Sequence, residues 1–209
     1  MSSPLTFSAA VEGTTDEAVV RKILKAIKIF PGKFYGLEGK GKIQRQLKGF
    51  ANAAKFAPWL VLIDLDNDAP CAPELARTWS PENSPFLCFQ VAVHEIEAWL
   101  LADRLNFSGF FGVPESSIPL VPDELSNPKK MVVDLVRRSS RKDMRETLVP
   151  SVTSGRSVGP AYASYMIEFS GKHWNPIEAA EHSKSLKRCL RSIRQIAKLY
   201  RSRQDRHDS

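Results

Sequence analysis

Acidic side chains mark the positions in this sequence where chemistry is most readily built. Glu12 follows the apolar run 5–11, Asp64 and Asp66 follow the run 59–63, and Glu95 and Glu97 follow the run 86–93. Each run has the length and composition of a short strand, so all three sets of acids stand at strand ends. Carboxylates gathered in one place repel one another unless a cation neutralises them. An oxygen-only ligand set without Cys or His suits a hard divalent ion such as Mg2+ or Mn2+, which keeps waters and takes phosphate oxygens as further ligands. Side chains alternate along extended chain, so Asp64 and Asp66 are expected to point the same way and share one cation, with Leu65 facing the other side. Two positions apart on a helix, Glu95 and Glu97 would point to nearly opposite sides, leaving one strong ligand unless Glu95 belongs to the strand end. Blander readings stand beside these. Asp-x-Asp also suits a strand-ending turn, to which Asp68 is assigned with Asn67; Glu12 also suits the positive end of a helix dipole; and His94 reads as structural or as an outer partner of the acids.

The elements that would position these acids follow from periodicity. After Glu12-Gly13, Thr14 and Glu17 form a capping box, and Val19, Val20, Ile23, Leu24, Ile27 and Phe30 recur at helical spacing until Pro31-Gly32. Residues 33–37 read as a second strand. Ile43, Leu47, Phe50, Ala51 and Ala54 mark a second amphipathic helix ended by Pro58, and residues 59–63 are apolar enough to be buried on both faces. The stretch 69–85, with Pro70, Pro73, Pro81 and Pro85, reads as a loop with room for one helical turn. Residues 94–103 read as helical, and so do 131–136, 161–169 and 186–200. Strands alternating with helices predict an α/β fold with a largely parallel sheet, in which ligands gather at the carboxyl ends of the strands. We divide the chain into a core over 1–112 and a mainly helical extension over 113–209.

The net charge of +7 is segregated along the chain. Residues 1–20 hold three acids and no Lys or Arg, and residues 21–55 hold ten Lys/Arg and one acid. Residues 56–128 hold eleven acids and two arginines, and residues 129–209 hold eighteen Lys/Arg and eight acids. Basic flanks suit a polyanion while carboxylates hold a cation against it, which points to phosphate chemistry. Lys40, Lys42, Arg45 and Lys48 on the second helix, and Lys187, Arg191, Arg194 and Lys198 near the C-terminus, are the candidate nucleic-acid contacts. Residues 155–159, Gly-Arg-Ser-Val-Gly, read either as a phosphate-touching loop or as a plain flexible turn, and they match no Walker pattern.

Other classes are excluded or disfavoured. No apolar run approaches the roughly twenty residues of a membrane span. The start of the chain lacks the basic and apolar regions of a secretory signal. Three cysteines without CxxC spacing argue for a reducing compartment, so a cytoplasmic location is expected. Neither GxSxG nor HExxH occurs. Haloacid-dehalogenase phosphatases and sugar-nucleotide transferases share the Asp-x-Asp element, but neither accounts for Glu12.

Strand, Glu12-Gly13, helix, then Val61-Leu62-Ile63-Asp64-Leu65-Asp66 resembles the Toprim fold of topoisomerases, bacterial primases and the overcoming-lysogenisation-defect nucleases. With Glu95-Ile96-Glu97-Ala98-Trp99-Leu100-Leu101-Ala102-Asp103 and Pro128-Lys129-Lys130 added, the chain resembles the Toprim-like domain-of-unknown-function family numbered 4276 over most of its length. The resemblance implies an acid/base role for Glu12, metal binding by Asp64 and Asp66, and additional acids at Glu95 and Glu97. It also implies prokaryotic genome defence beside an ATPase partner. No tyrosine-nucleophile domain is evident, so a topoisomerase is rejected. The expected activity is hydrolysis of DNA or RNA phosphodiesters with one or two Mg2+ or Mn2+ ions, Glu12 moving a proton or completing the metal shell. The competing expectation is a non-catalytic nucleic-acid-binding or regulatory subunit.

Overall fold

The computed structural model describes residues 4–66, 68–79 and 84–206. Asn67 and Pro81, both assigned to turns or loops above, lie outside the described residues, as does the start of the chain before Pro4. Four strands form one sheet: β1 (Thr6–Val11), β2 (Phe30–Gly36), β3 (Trp59–Asp64) and β4 (Leu87–Ala92). All three pairings are parallel, in the order β2-β1-β3-β4. The α/β class and the parallel sheet expected from the alternation are therefore present, as is the helical C-terminal region.

Alternation along the strands sorts the core into two layers. Phe7, Ala9, Val11, Leu60 and Leu62 face α1 (Thr14–Ala26) and the helices of the C-terminal half, whereas Ala10, Trp59, Val61 and Ile63 face α2 (Lys40–Ala53) and α3 (Ala72–Trp79). Because both faces are covered, β3 reads as an unbroken apolar run, with its first five residues buried. The C-terminal half comprises α4 (Glu97–Leu101), α5 (Arg104–Phe111), α6 (Pro128–Val136), α7 (Lys142–Leu148), α8 (Tyr162–Glu168), α9 (Pro176–His182) and α10 (Lys184–Asp205). Its apolar residues join the β1/α1 layer in one cluster running from Phe7 to Ala197. Trp99 and Trp174 are buried at its centre: the Trp174 indole donates to the Trp99 carbonyl at 3.1 Å, and the Trp99 indole donates to Ser185 Oγ at 2.6 Å. No described helix is long and apolar enough to cross a membrane.

Several local expectations are corrected. The first helix ends at Ala26, not at Pro31-Gly32, and Lys28 takes a left-handed φ of 60° in the turn that follows. Phe30, Pro31 and Gly32 belong to β2. An edge strand tolerates proline because one row of its backbone groups is unpaired in any case. Gly32 lies where a Cβ would come within 2.9 Å of the Phe7 carbonyl, beside the register shift between Phe7 and Ala9. The proline-rich stretch after β3 holds the two-turn helix α3, with Pro73 in its first turn, where a missing N–H costs nothing. The helix expected over 94–103 is shorter, confined to Glu97–Leu101. α5, α7 and α9 had no counterpart in the periodicity reading; α5 begins on Asp103, whose side chain accepts the Asn106 N–H, and ends on Gly112 at φ 63°.

Candidate active site

In the order β2-β1-β3-β4, the connection through α1 leads outward from β1 to one edge, and the connection through α2 returns past β1 to the other side. The crevice between the carboxyl ends of β1 and β3 is thus the switch point at which open α/β sheets bind ligands. Glu12 leaves β1 there and Asp64 ends β3 there. The two strand ends are tied together directly: Glu12 Oε1 accepts the Asp64 backbone N–H at 2.8 Å. The loop after β2 closes over the same spot, with Leu37 N–H donating to the Val11 carbonyl and Gly39 N–H to the Glu12 carbonyl. Gly36 makes that approach possible, because at φ 91° a Cβ there would lie 2.3 Å from the Val11 oxygen.

A cleft of about 400 Å³ opens at this point, and its lining includes Glu12, Asp16, Asp64, Glu97, Lys129 and Tyr162. Asp16 is the member the sequence reading missed. The helix cap lies one residue earlier than the expected Thr14/Glu17 box: Gly13 is the N-cap, and Asp16 accepts its N–H at 2.8 Å. Glu17 pairs instead with Arg21. Glu97 enters from the first turn of α4 and is only 2% exposed. Its Oε1 accepts the Tyr162 hydroxyl proton at 3.0 Å and lies 3.7 Å from Lys129 Nζ, while its Oε2 is buried with no hydrogen-bond partner. Tyr162 comes from α8 and carried no signal in sequence. Lys129 was visible only as part of the Pro128-Lys129-Lys130 resemblance.

The other predicted residues are placed differently. Asp66 lies beyond the end of β3 at φ 47°, so the alternation expected to align it with Asp64 does not extend that far. Its carboxylate and that of Asp68 are held by Lys40 at 2.6 and 2.7 Å. Leu65 and Asp66 donate their N–H groups to the Ala92 and His94 carbonyls, and His94 itself sits at φ 61°, so His94 ties the β3 and β4 ends through its backbone. Glu95 turns to the start of α6, where it accepts the Lys129 N–H at 2.7 Å and the Lys129 ammonium at 3.2 Å. A carboxylate on the first N–H groups of a helix is well placed electrostatically. Glu95 and Glu97 thus share Lys129, but of the two only Glu97 lines the cleft.

Among the predicted nucleic-acid contacts, Lys40 is taken up by Asp66 and Asp68, Lys42 pairs with Glu38, and Lys187 pairs with Glu181 at 3.0 Å. Arg45 and Lys48 are exposed along α2, and Arg191 is exposed on α10. Arg194 and Lys198 border a hollow with Ile27 and Ile29, which precede β2, and so lie at the amino end of the sheet, opposite the acids.

Burial and mutual repulsion shape the charge of the cleft. Asp64 is raised well above the usual carboxylate range, first by burial and then by Asp16, Glu97, Glu12 and Asp66. Asp16 is pushed up to about 7 by burial, against the opposing Gly13 N–H, with Glu97 and Glu12 adding to the rise. Glu97 is raised by burial despite Lys129, and Glu12 is raised by burial despite the Asp64 N–H and Lys40. Burial opposes the charge on Lys129, but Glu97 and Glu95 outweigh it and hold the ammonium protonated.

The donor chemistry fits a hard divalent cation: four carboxylates line one cleft, and one buried oxygen lacks a partner. Among the described residues no three acid, imidazole or thiolate groups are already gathered into a coordination shell. Compared with protein-family models, with curated proteins and with solved structures, the chain matches none.

Proposed function

We propose that the cleft at the β1/β3 switch point hydrolyses phosphodiester bonds of DNA or RNA with the help of Mg2+ or Mn2+. The observation that carries this reading is the convergence of Glu12, Asp16, Asp64 and Glu97 on one cleft whose sole lining ammonium, among the described residues, is Lys129. A bound divalent ion would supply Lewis acidity toward the phosphate and a nucleophilic hydroxide at neutral pH. Asp64, with Glu97 and Asp16 facing it, is the residue we assign to hold such an ion. Glu12, raised above the usual carboxylate range by burial and fixed by the Asp64 N–H, is suited to take or return a proton. Lys129, kept charged by Glu95 and Glu97, can meet negative charge developing on a phosphate. Tyr162 orients Glu97 through its hydroxyl. Asp66 remains a proposed ligand through exchange of its Lys40 partner, and Glu95 is better suited to anchoring Lys129.

The absence of a preassembled three-residue shell among the described residues favours a second reading, a binding or regulatory subunit whose acids serve electrostatics alone. One assay separates the two. Purified protein is incubated with supercoiled plasmid and with structured RNA in Mg2+, Mn2+ or EDTA. Cleavage that requires the metal and disappears in Asp64→Asn supports the enzyme; salt-sensitive binding without cleavage supports the binding subunit; and activity surviving both Glu12→Gln and Asp64→Asn refutes the site. The ATPase partner and the role in genome defence are proposed on the family resemblance, and co-purification with the product of an adjacent gene tests the former.

A further inference from the structure

Two troughs adjoin the acidic cleft. A trough of about 500 Å³ along α6 shares Lys129 with the cleft and is bordered by Lys130 and Arg137. A second trough of about 530 Å³, beside residues 155–160, shares Tyr162 and Ala163 with the cleft and is bordered by Arg156. Ser157 borders both outer troughs, so the three form one connected surface.

The cations on this surface are available. Arg137 and Arg156 are exposed, and neither forms an ion pair among the described residues. Lys130 is held by an exposed pair with Asp134 one turn along α6, a weak contact that a phosphate readily replaces. Of the two acids that line the same trough, Glu95 is covered by Lys129 and Asp134 is the partner of Lys130. The guanidinium fork suits paired phosphate oxygens, and cations that track a backbone are the usual grip on a nucleic-acid strand. By contrast, Lys40 is held by two carboxylates at once, and Arg194 and Lys198 lie at the far end of the sheet.

We infer that the phosphodiester backbone of a nucleic-acid strand runs across the cleft along these troughs, held by Lys130 and Arg137 on one side of the acids and by Arg156 on the other. This path rests on the phosphodiesterase reading of the cleft. It carries no sequence preference, because its contacts are to phosphate.

The test is fluorescence anisotropy with a labelled single-stranded DNA and an RNA of matching sequence, in Ca2+, over a range of salt concentrations. In the double variant Arg137→Ala/Arg156→Ala, affinity is expected to fall about tenfold or more, and the salt slope by roughly 1.4, two lost phosphate contacts at about 0.7 each on a single strand. The triple variant Arg191→Ala/Arg194→Ala/Lys198→Ala on α10 is expected to stay within about twofold. All five substituted side chains are exposed, and an unchanged melting temperature confirms folding. Loss on DNA, on RNA or on both supports the path and identifies the strand chemistry. Equal or greater loss in the α10 variant, or no binding by the unsubstituted protein, overturns it. Plasmid and RNA cleavage measured on the same proteins separates the two claims. Localised binding loss without any cleavage refutes the hydrolase and leaves the path standing, whereas cleavage with unimpaired binding in the double variant refutes the path alone.

Discussion

Without divalent ions, the protein is expected to lose stability as the pH rises from about 4 to about 7. Asp16 carries the argument, since its carboxyl is raised from 3.8 to about 7 in the folded chain. Between those two values the folded state holds a proton that the unfolded state has released, so unfolding becomes easier as pH increases. The stability is fully present below about pH 4 and has been lost by the time the pH passes about 7. A shift of about three pH units corresponds to about 4 kcal/mol at 1.36 kcal/mol per unit. For a chain of this size that is roughly 10 °C in melting temperature. Asp64, Glu97 and Glu12 are shifted in the same direction and add to the slope. A divalent ion that binds the ionised cleft reverses the loss by mass action, by about 2.7 kcal/mol at one hundred times its dissociation constant. The assay is urea denaturation in EDTA at steps from pH 5 to pH 8, repeated in Mg2+, for the unsubstituted protein and for Asp16→Asn. The amide can still accept the Gly13 N–H but cannot ionise, so the variant is expected to lose up to 1.36 kcal/mol per pH unit of the slope. Stability that is flat or rising over this range in EDTA, or a slope untouched by both Asp16→Asn and Mg2+, would refute the proposed electrostatics of the cleft.

Other perturbations have equally definite outcomes. Asp64→Asn is expected to lower metal-dependent cleavage at least a hundredfold and to abolish the melting-temperature rise on adding Mn2+, with the backbone N–H to Glu12 retained. Tyr162→Phe removes the hydroxyl that serves Glu97 and is expected to cost about 1–3 kcal/mol in denaturation at pH 8, with a smaller cost at pH 5, where Glu97 is more fully protonated. Gly36→Ala forces a side chain against the Val11 carbonyl at a left-handed backbone position; a loss of about 2 kcal/mol or more is expected, with reduced cleavage because the neighbouring Glu12 backbone moves. Lys40→Ala, which frees the exposed carboxylates of Asp66 and Asp68, is expected to change stability by about 1 kcal/mol or less in thermal melts.

Those parts of the fold governed by local apolar patterning were legible in the sequence. β1, β3 and β4 follow from apolar runs, and α1, α2, α6 and α10 from helical stripes, because burial on one or two faces writes a period into the residues themselves. The convergence of Glu12 and Asp64 followed from the rule for strand ends in parallel sheets. What patterning does not encode is where extended chain stops. Asp66 was aligned with Asp64 only by assuming two more residues of strand, and the left-handed turn at Asp66 cancels that alignment. Asp16 was hidden by a cap assigned one residue too late; Gly13 followed three positions later by an acid was the available signal. Tyr162 and Lys129 reach Glu97 from helices distant in sequence, and no local pattern announces such a contact.

That reach across the chain has a consequence for any attempt to whittle the protein down. Glu97 depends on Tyr162 for its hydrogen bond and on Lys129 for its counter-charge, and the short helix that carries it is pinned by the interlocking indoles of Trp99 and Trp174 and by Ser185. A fragment stopping near Gly112 would lose the helices packed on α1 and β4 and uncover part of the cluster that includes Val20, Ile23 and Leu24, where a fully buried side chain of this kind is worth about 1.5–3 kcal/mol. Truncation there is expected to unfold the protein rather than shorten it, and a screen for split or permuted versions should seek its break point in the exposed residues 151–154, ahead of Arg156 and away from the Trp99 lock.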